Sequence, residues 1–204
     1  MPKPTIKKVD ISFLSDKTLY DFESYDTGEL LYAVSENNLG ETNQKVIKYN
    51  DNDIIWEKDL GNIQQGYLSK TGANGDIIYY STGGLNNNPS IICLNKDGGI
   101  KWQKEFIGDG YDFINHVELS NLGSTFIAIT TESPSLSIDG LIENYNKNSF
   151  VKGFEDNEDL DLVILELETA NGNIKNKYRI GSTSYDQLAY FSIDNINGDI
   201  NLWG

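Results

Sequence analysis

The chain has 204 residues, 38% of them hydrophobic, with 12 Tyr and 8 Phe; this is too much apolar and aromatic material for a disordered polymer, and enough to bury a core. Sixteen basic residues stand against 31 acidic ones, a formal charge of -15, so the summed field repels nucleic-acid phosphates and anionic lipid and draws cations. Cys93 is the single cysteine, so no disulfide forms within the chain.

Met1-Pro2-Lys3-Pro4-Thr5-Ile6-Lys7-Lys8 is basic but leads into no apolar stretch, so neither a classical secretory signal nor a membrane span is read here. Val9, Ile11 and Phe13 then alternate with Asp10 and Ser12, the pattern of a strand with one buried face. A first unit follows: Tyr20-Asp21, a glycine turn into Gly28-Glu29-Leu30-Leu31-Tyr32, the apolar run Val46-Ile47-Lys48-Tyr49, and a segment opened by Trp56. The second repeats it as Gly75-Asp76-Ile77-Ile78-Tyr79, Ile91-Ile92-Cys93-Leu94 and Trp102, without the Tyr-Asp pair. A third runs Tyr111-Asp112, Gly123-Ser124-Thr125-Phe126-Ile127, Leu162-Val163-Ile164-Leu165 and Asn176-Lys177-Tyr178, without the tryptophan. Tyr185-Asp186 and Gly198-Asp199-Ile200 begin a fourth, and the chain stops partway through it.

The glycine turns are 47, 48 and 75 residues apart, and the two tryptophans are 46 apart. A period in this range marks a repeat architecture, and the long third interval holds an insertion. Asn74-Gly75 and Asn197-Gly198 supply the positive φ angles of tight hairpins. Runs such as Ile77-Ile78-Tyr79-Tyr80 are continuously apolar instead of alternating, which predicts burial on both faces. Four short strands per unit with doubly covered middle strands predict an all-β fold, a partial β-propeller of about three and a half to four four-stranded blades. Residues 1–204 read as a single propeller region, the piece of a longer ring, with 133–159 as a long loop insertion.

No catalytic constellation is visible. His116 is the sole histidine, which excludes a multi-histidine zinc site within the chain, and nothing in the spacing supplies partners for a Ser-His-Asp triad. Cys93 lies in an apolar run and reads as a small buried hydrophobe. Asp51-Asn52-Asp53 and the cluster Asp156, Glu158, Asp159 and Asp161 could offer several oxygens to calcium, yet neither has EF-hand spacing, and solvated turns are the plainer reading. Trp56 and Trp102, at equivalent places in successive units, read as inter-blade core.

Lys48-Tyr49-Asn50 with Trp56 and Gly61, and Asn95-Lys96-Asp97-Gly98 with Trp102 and Gly108, resemble the bacterial seven-bladed β-propeller repeat family over roughly residues 19 to 204. The resemblance implies a propeller from a large secreted or surface-attached bacterial protein, with no shared catalytic residues to carry over. The expectation is therefore a non-catalytic binding or display module, extracellular or on the cell surface, contacting protein or glycan through rim loops; a cytoplasmic location is the alternative. Leu167-Glu168-Thr169-Ala170-Asn171-Gly172-Asn173 also resembles quinoprotein dehydrogenase repeats, which implies the competing expectation of an enzyme using pyrroloquinoline quinone and calcium.

Overall fold

The structure is a computed structural model that describes residues 12–25, 27–38, 41–50, 53–63, 65–70, 75–83, 88–133, 135–138, 141–144, 161–180, 190–194 and 199–203. It is all-β and propeller-like: antiparallel sheets stacked face to face in chain order. Sheet 1 is a meander of β1 (Lys17–Ser24), β2 (Leu30–Asn38), β3 (Glu41–Tyr49) and β4 (Ile54–Gly61). Sheet 2 runs through β5 (Gly66–Lys70), β6 (Ile77–Ser81), β7 (Ser90–Leu94) and β8 (Ile100–Ile107). Sheet 3 begins with β9 (Asp112–Leu119) and β10 (Ser124–Thr131), is interrupted by the hairpin β11 (Ser135–Ile138) and β12 (Leu141–Asn144), and resumes with β13 (Asp161–Glu168) and β14 (Ile174–Ile180). A fourth, two-stranded sheet pairs β15 (Tyr190–Ile193) with β16 (Ile200–Trp203). The first strands of successive sheets, β1, β5, β9 and β15, adjoin one another, as strands around a hub do.

The continuously apolar middle strands are explained by this stacking, because successive side chains point to opposite faces. In β6, Ile77 and Tyr79 pack against Leu31, Ala33 and Val46 of sheet 1, while Ile78 and Tyr80 join the core shared with sheet 3. In β13, Val163, Leu165 and Leu167 face sheet 2, and Leu162 and Ile164 face Phe191 and Ile193 of sheet 4. Neither side of such a strand can tolerate a polar run.

Tryptophan fastens one sheet to the next. Trp56 Nε1 donates to the carbonyl of Lys96 at 3.0 Å, and Trp102 Nε1 to the carbonyl of Thr169 at 2.8 Å. Both acceptors lie in the turn between the third and fourth strands of the following sheet. The indoles lie so close over Gly98 and Gly172 that a Cβ there would stand 2.9 and 2.8 Å from ring atoms, and both glycines have positive φ; only glycine fits both demands. A β-bulge recurs one residue before both Trp56 and Trp102, skipping Ile55 and Lys101 in the pairing, and bulges re-aim the side chain that follows. The same bulge in sheet 3 skips Lys175 and places Asn176 at the tryptophan position.

Three sequence expectations need correction. The two Tyr-Asp pairs are not equivalent: Asp21 stands opposite Ala33, and Asp112 opposite Thr131. In the register set by the glycine turns, the residue matching Asp21 is His116, opposite Ala128. The 91-residue spacing of the pairs was four short of the distance between the corresponding glycines, and a strand of eight residues hides such a slip. The strand expected over 9–13 meets a 3-10 turn at Ser12–Leu14; Val9 and Ile11 lie outside the described residues. Finally, the stretch expected as one long loop contains a hairpin, β11–β12, that adds to the outer edge of sheet 2.

Replacing Trp102 by Ala should cost about 3–5 kcal/mol, and by Phe, which keeps the packing and loses the N–H donor, about 1 kcal/mol. Urea unfolding of the two variants checks this; a Phe variant as stable as the parent would mean that the hydrogen bond to Thr169 contributes nothing.

Candidate functional site

The β8–β9 connection and the β10–β13 connection leave the stack at the same end, because Thr131 at the end of β10 pairs with Asp112 at the start of β9. Where they meet, Asp112, Thr131 and Ser133 form a polar hub that is almost wholly buried. The Thr131 hydroxyl donates to Asp112 Oδ1, and the Ser133 hydroxyl to Asp112 Oδ2 at 2.9 Å. Ser133 Oγ in turn accepts the Gly110 amide at 2.9 Å, and Thr131 Oγ1 accepts the Ser133 amide at 2.9 Å. Glu132 and Tyr111 close the outside through a backbone bond and a 3.1 Å bond from the Tyr111 amide to Glu132 Oε2. A Cβ on Gly108 would run into Asp112 Oδ2 and Ser133 Oγ, so glycine is what lets the connection pass this close.

The hub holds the root of the β11–β12 hairpin. Ser137 and Ile138 pair with Ile107 and Phe106 of β8, and Leu136 and Ile138 are buried in the core between sheets 2 and 3. The hairpin thus crosses from sheet 3, where its chain originates, onto sheet 2. At the far end of the insertion Asp161, also buried, receives Arg179 in an ion pair, with Nε at 2.7 Å from Oδ2. Both ends of the insertion are therefore tied to the scaffold by hydrogen bonds to a buried carboxylate.

Burial raises the Asp112 carboxyl above its ordinary range, although the Thr131 and Ser133 hydroxyls pull it back. Burial likewise pushes the Cys93 thiol up to about 12, with Asp76 adding to the rise and Lys101 opposing it; a thiol in that state is a poor nucleophile at neutral pH. His116 sits edge-on to Phe191, ring centroids 5.0 Å apart, and 3.3 Å from Glu118. It faces sheet 4, whereas Asp112 belongs to the contact with sheet 2, so the histidine does not join the Ser133–Asp112 pair.

Of the proposed calcium ligands, Asp156, Glu158 and Asp159 lie outside the described residues, and Asp161 is engaged by Arg179. Asp53, the described member of the other acidic turn, donates its amide to Asn50 Oδ1 at 2.9 Å. Among the described residues no three of His, Cys, Asp or Glu gather as a metal would require. The 167–173 turn that carries the quinoprotein resemblance is the acceptor of Trp102, which accounts for its shape mechanically. Sequence reasoning missed the hub and the hairpin; the cue was the pair Thr131 and Ser133 standing one residue either side of Glu132 at the mouth of the insertion.

No helix among the described residues is long and apolar enough to cross a membrane. No protein-family model matches the sequence, and no curated protein matches it. Among solved structures the chain is similar to an acylaminoacyl peptidase in complex with Z-Gly-Gly-Phe-chloromethyl ketone, at TM-score 0.48 and 11% identity over 83% of this chain. The chain spans 26% of the length of that peptidase. The expectation of a non-enzyme is corrected by this finding: a structure similar to the chain is that of an enzyme, and a non-catalytic role is not assigned. A likeness of this depth transfers none of the peptidase's chemistry.

Because the Asp112 carboxyl titrates higher in the folded chain than in the unfolded one, its contribution to stability is most favourable in acid and is lost as pH rises through the raised value. Asp112→Asn should therefore compare least well with the parent below about pH 4, where the two curves run parallel, and gain on it as pH rises above that. Urea midpoints of both proteins across pH 3 to 7, an order-of-magnitude window around the carboxylate range, check the sign; curves parallel throughout would show that Asp112 does not titrate differently on folding.

Proposed function

We propose that the chain is a binding and display module of a bacterial extracellular or cell-surface protein, and that it holds a protein or glycan partner on the face where the β8–β9 and β10–β13 connections emerge. The observation that supports this reading is the insertion: a hairpin added to a regular repeat, fixed at its root by Asp112, Thr131 and Ser133 and laid onto the neighbouring sheet. The repeat stacks through its own strands and its tryptophans, and sheet 1 reaches sheet 2 with no such addition. Extra chain on one face of a rigid scaffold is the usual location of recognition. A formal charge of -15 argues for neutral or cationic ligands over nucleic acid.

The test is a glycan and protein array read with the parent chain and with a variant whose residues 134–145 are replaced by a short Gly-Ser linker. Binding by the parent that changes by about tenfold or more, roughly 1.4 kcal/mol, in the linker variant supports the reading: a fall if the hairpin itself touches the partner, a rise if it covers the partner's seat. Silence of the parent, or binding indifferent to the linker, overturns it.

A further inference from the structure

The hairpin occupies a site that it does not build. Its ladder to β8 engages only Ser137 opposite Ile107 and Ile138 opposite Phe106. Its two inward side chains, Leu136 and Ile138, join the buried core between the neighbouring sheets, whose other members include Phe106 of sheet 2 and Val163 and Leu165 of sheet 3. Every other member of that core belongs to the repeat scaffold, and in the core between sheets 1 and 2 the described members all come from the sheets and their connections. The outer edge of β8, with the end of the inter-sheet core beside it, is thus filled by an aliphatic-polar-aliphatic strand.

We propose that this edge is a peptide-binding site, held in the resting chain by Leu136-Ser137-Ile138, and that its external ligand is an extended segment of a partner protein carrying two aliphatic residues spaced i and i+2. The seated strand defines the chemistry. The backbone edge of β8 at Ile107, opposite Ser137, supplies sequence-independent hydrogen bonds, the Phe106 amide being held by the Pro89 carbonyl, and alternate side chains supply selectivity, the pattern by which an added strand is recognised. A ladder of two residue pairs is short beside the eight that join β10 to β13, so an exchanging strap gives up little backbone pairing. Spacing of i and i+2 distinguishes this ligand from a helix, whose anchors recur at i, i+3 and i+4. The inference rests on the reading of the insertion face as a binding surface and names its ligand.

Three proteins and one probe test it. The probe is a fluorescently labelled synthetic peptide with the sequence of residues 134–145, titrated by polarisation. The proteins are the unaltered chain, the strap-weakened Leu136→Ser/Ile138→Ser variant, and Ser137→Cys/Ile107→Cys, whose oxidation pins the strap to β8. Because self-occupancy reduces apparent affinity in proportion to the vacant fraction, the weakened variant should bind about tenfold or more tighter than the unaltered chain. The oxidised variant should not bind, and reduction should restore the unaltered level. Equal binding by all three proteins overturns the inference, as does binding that survives oxidation. If the weakened variant does not fold, the oxidised and reduced forms of the cysteine variant decide alone: no gain on reduction overturns it. A parent chain that binds an array partner in both oxidised and reduced cysteine forms refutes the edge site while leaving the face reading in place.

Discussion

The interaction on which the architecture turns is the indole N–H of one sheet donating to a turn carbonyl of the next. Stacked sheets with apolar faces can slide, because hydrophobic burial is not directional. Trp56 to Lys96 and Trp102 to Thr169 supply direction. Each bond fixes the outer corner of a sheet against one particular turn of its neighbour, while the inner corner is held by contacts such as the Leu68 amide to Asp21 at 2.8 Å and the Ile114 amide to the Thr82 carbonyl at 2.8 Å. With two corners fixed, the interdigitation of Ile77 and Tyr79 with Leu31 and Ala33 has one register. The glycines beneath the indoles and the bulge ahead of them follow from this requirement: ring, turn and strand must come within contact distance without a Cβ between them.

How much of this could be read from the residues depends on whether the signal is local. Doubly apolar strands, glycine turns and tryptophan spacing are local signals, and they locate sheets 1 to 3 correctly. Inter-sheet hydrogen bonds are not local, yet Trp56 and Trp102 reveal their own role because an indole repeated at fixed spacing has few other uses. Tyr-Asp misled for the opposite reason. Tyrosine and aspartate suit many strand positions, and Asp21 reaches forward to the Leu68 amide of sheet 2 while Asp112 is held by Thr131 and Ser133 of its own sheet. One dipeptide thus serves two unrelated contacts. The hairpin within the insertion escaped notice because Leu136 and Ile138 are only two aliphatic residues among Ser, Asp and Asn; their burial depends on a core that includes Phe106, Val163 and Leu165, far away in sequence.

The hub shows how buried polar groups can be retained in an apolar stack. Taking a carboxylate out of water is costly unless its oxygens are satisfied, and both Asp112 oxygens accept hydroxyl donors. Ser133 serves twice, donating to Asp112 and accepting from Gly110, so the crossing of two connections is fixed by one small network. Such a network specifies where the hairpin starts more than it adds to net stability, since hydrogen bonds traded against water return little free energy.

Among the described residues the fastenings are unevenly distributed. Sheets 2 and 3 share Trp102, the hub, the Gly83–Phe113 bridge and the hairpin. Sheet 3 offers sheet 4 no indole: at the corresponding place Asn176 turns back to Glu166 at 2.6 Å, within a cluster that includes Ser124 and Lys175. Those three donors hold the Glu166 carboxyl below the usual carboxylate range even though its partial burial works the other way. A polar corner of this kind satisfies itself and leaves little for the following sheet, whose contact rests on Phe191, Ile193 and Ile200 against Phe126 and Leu162. Among the described residues the junction of sheets 2 and 3 is thus the most heavily fastened, and the insertion hairpin is seated across it.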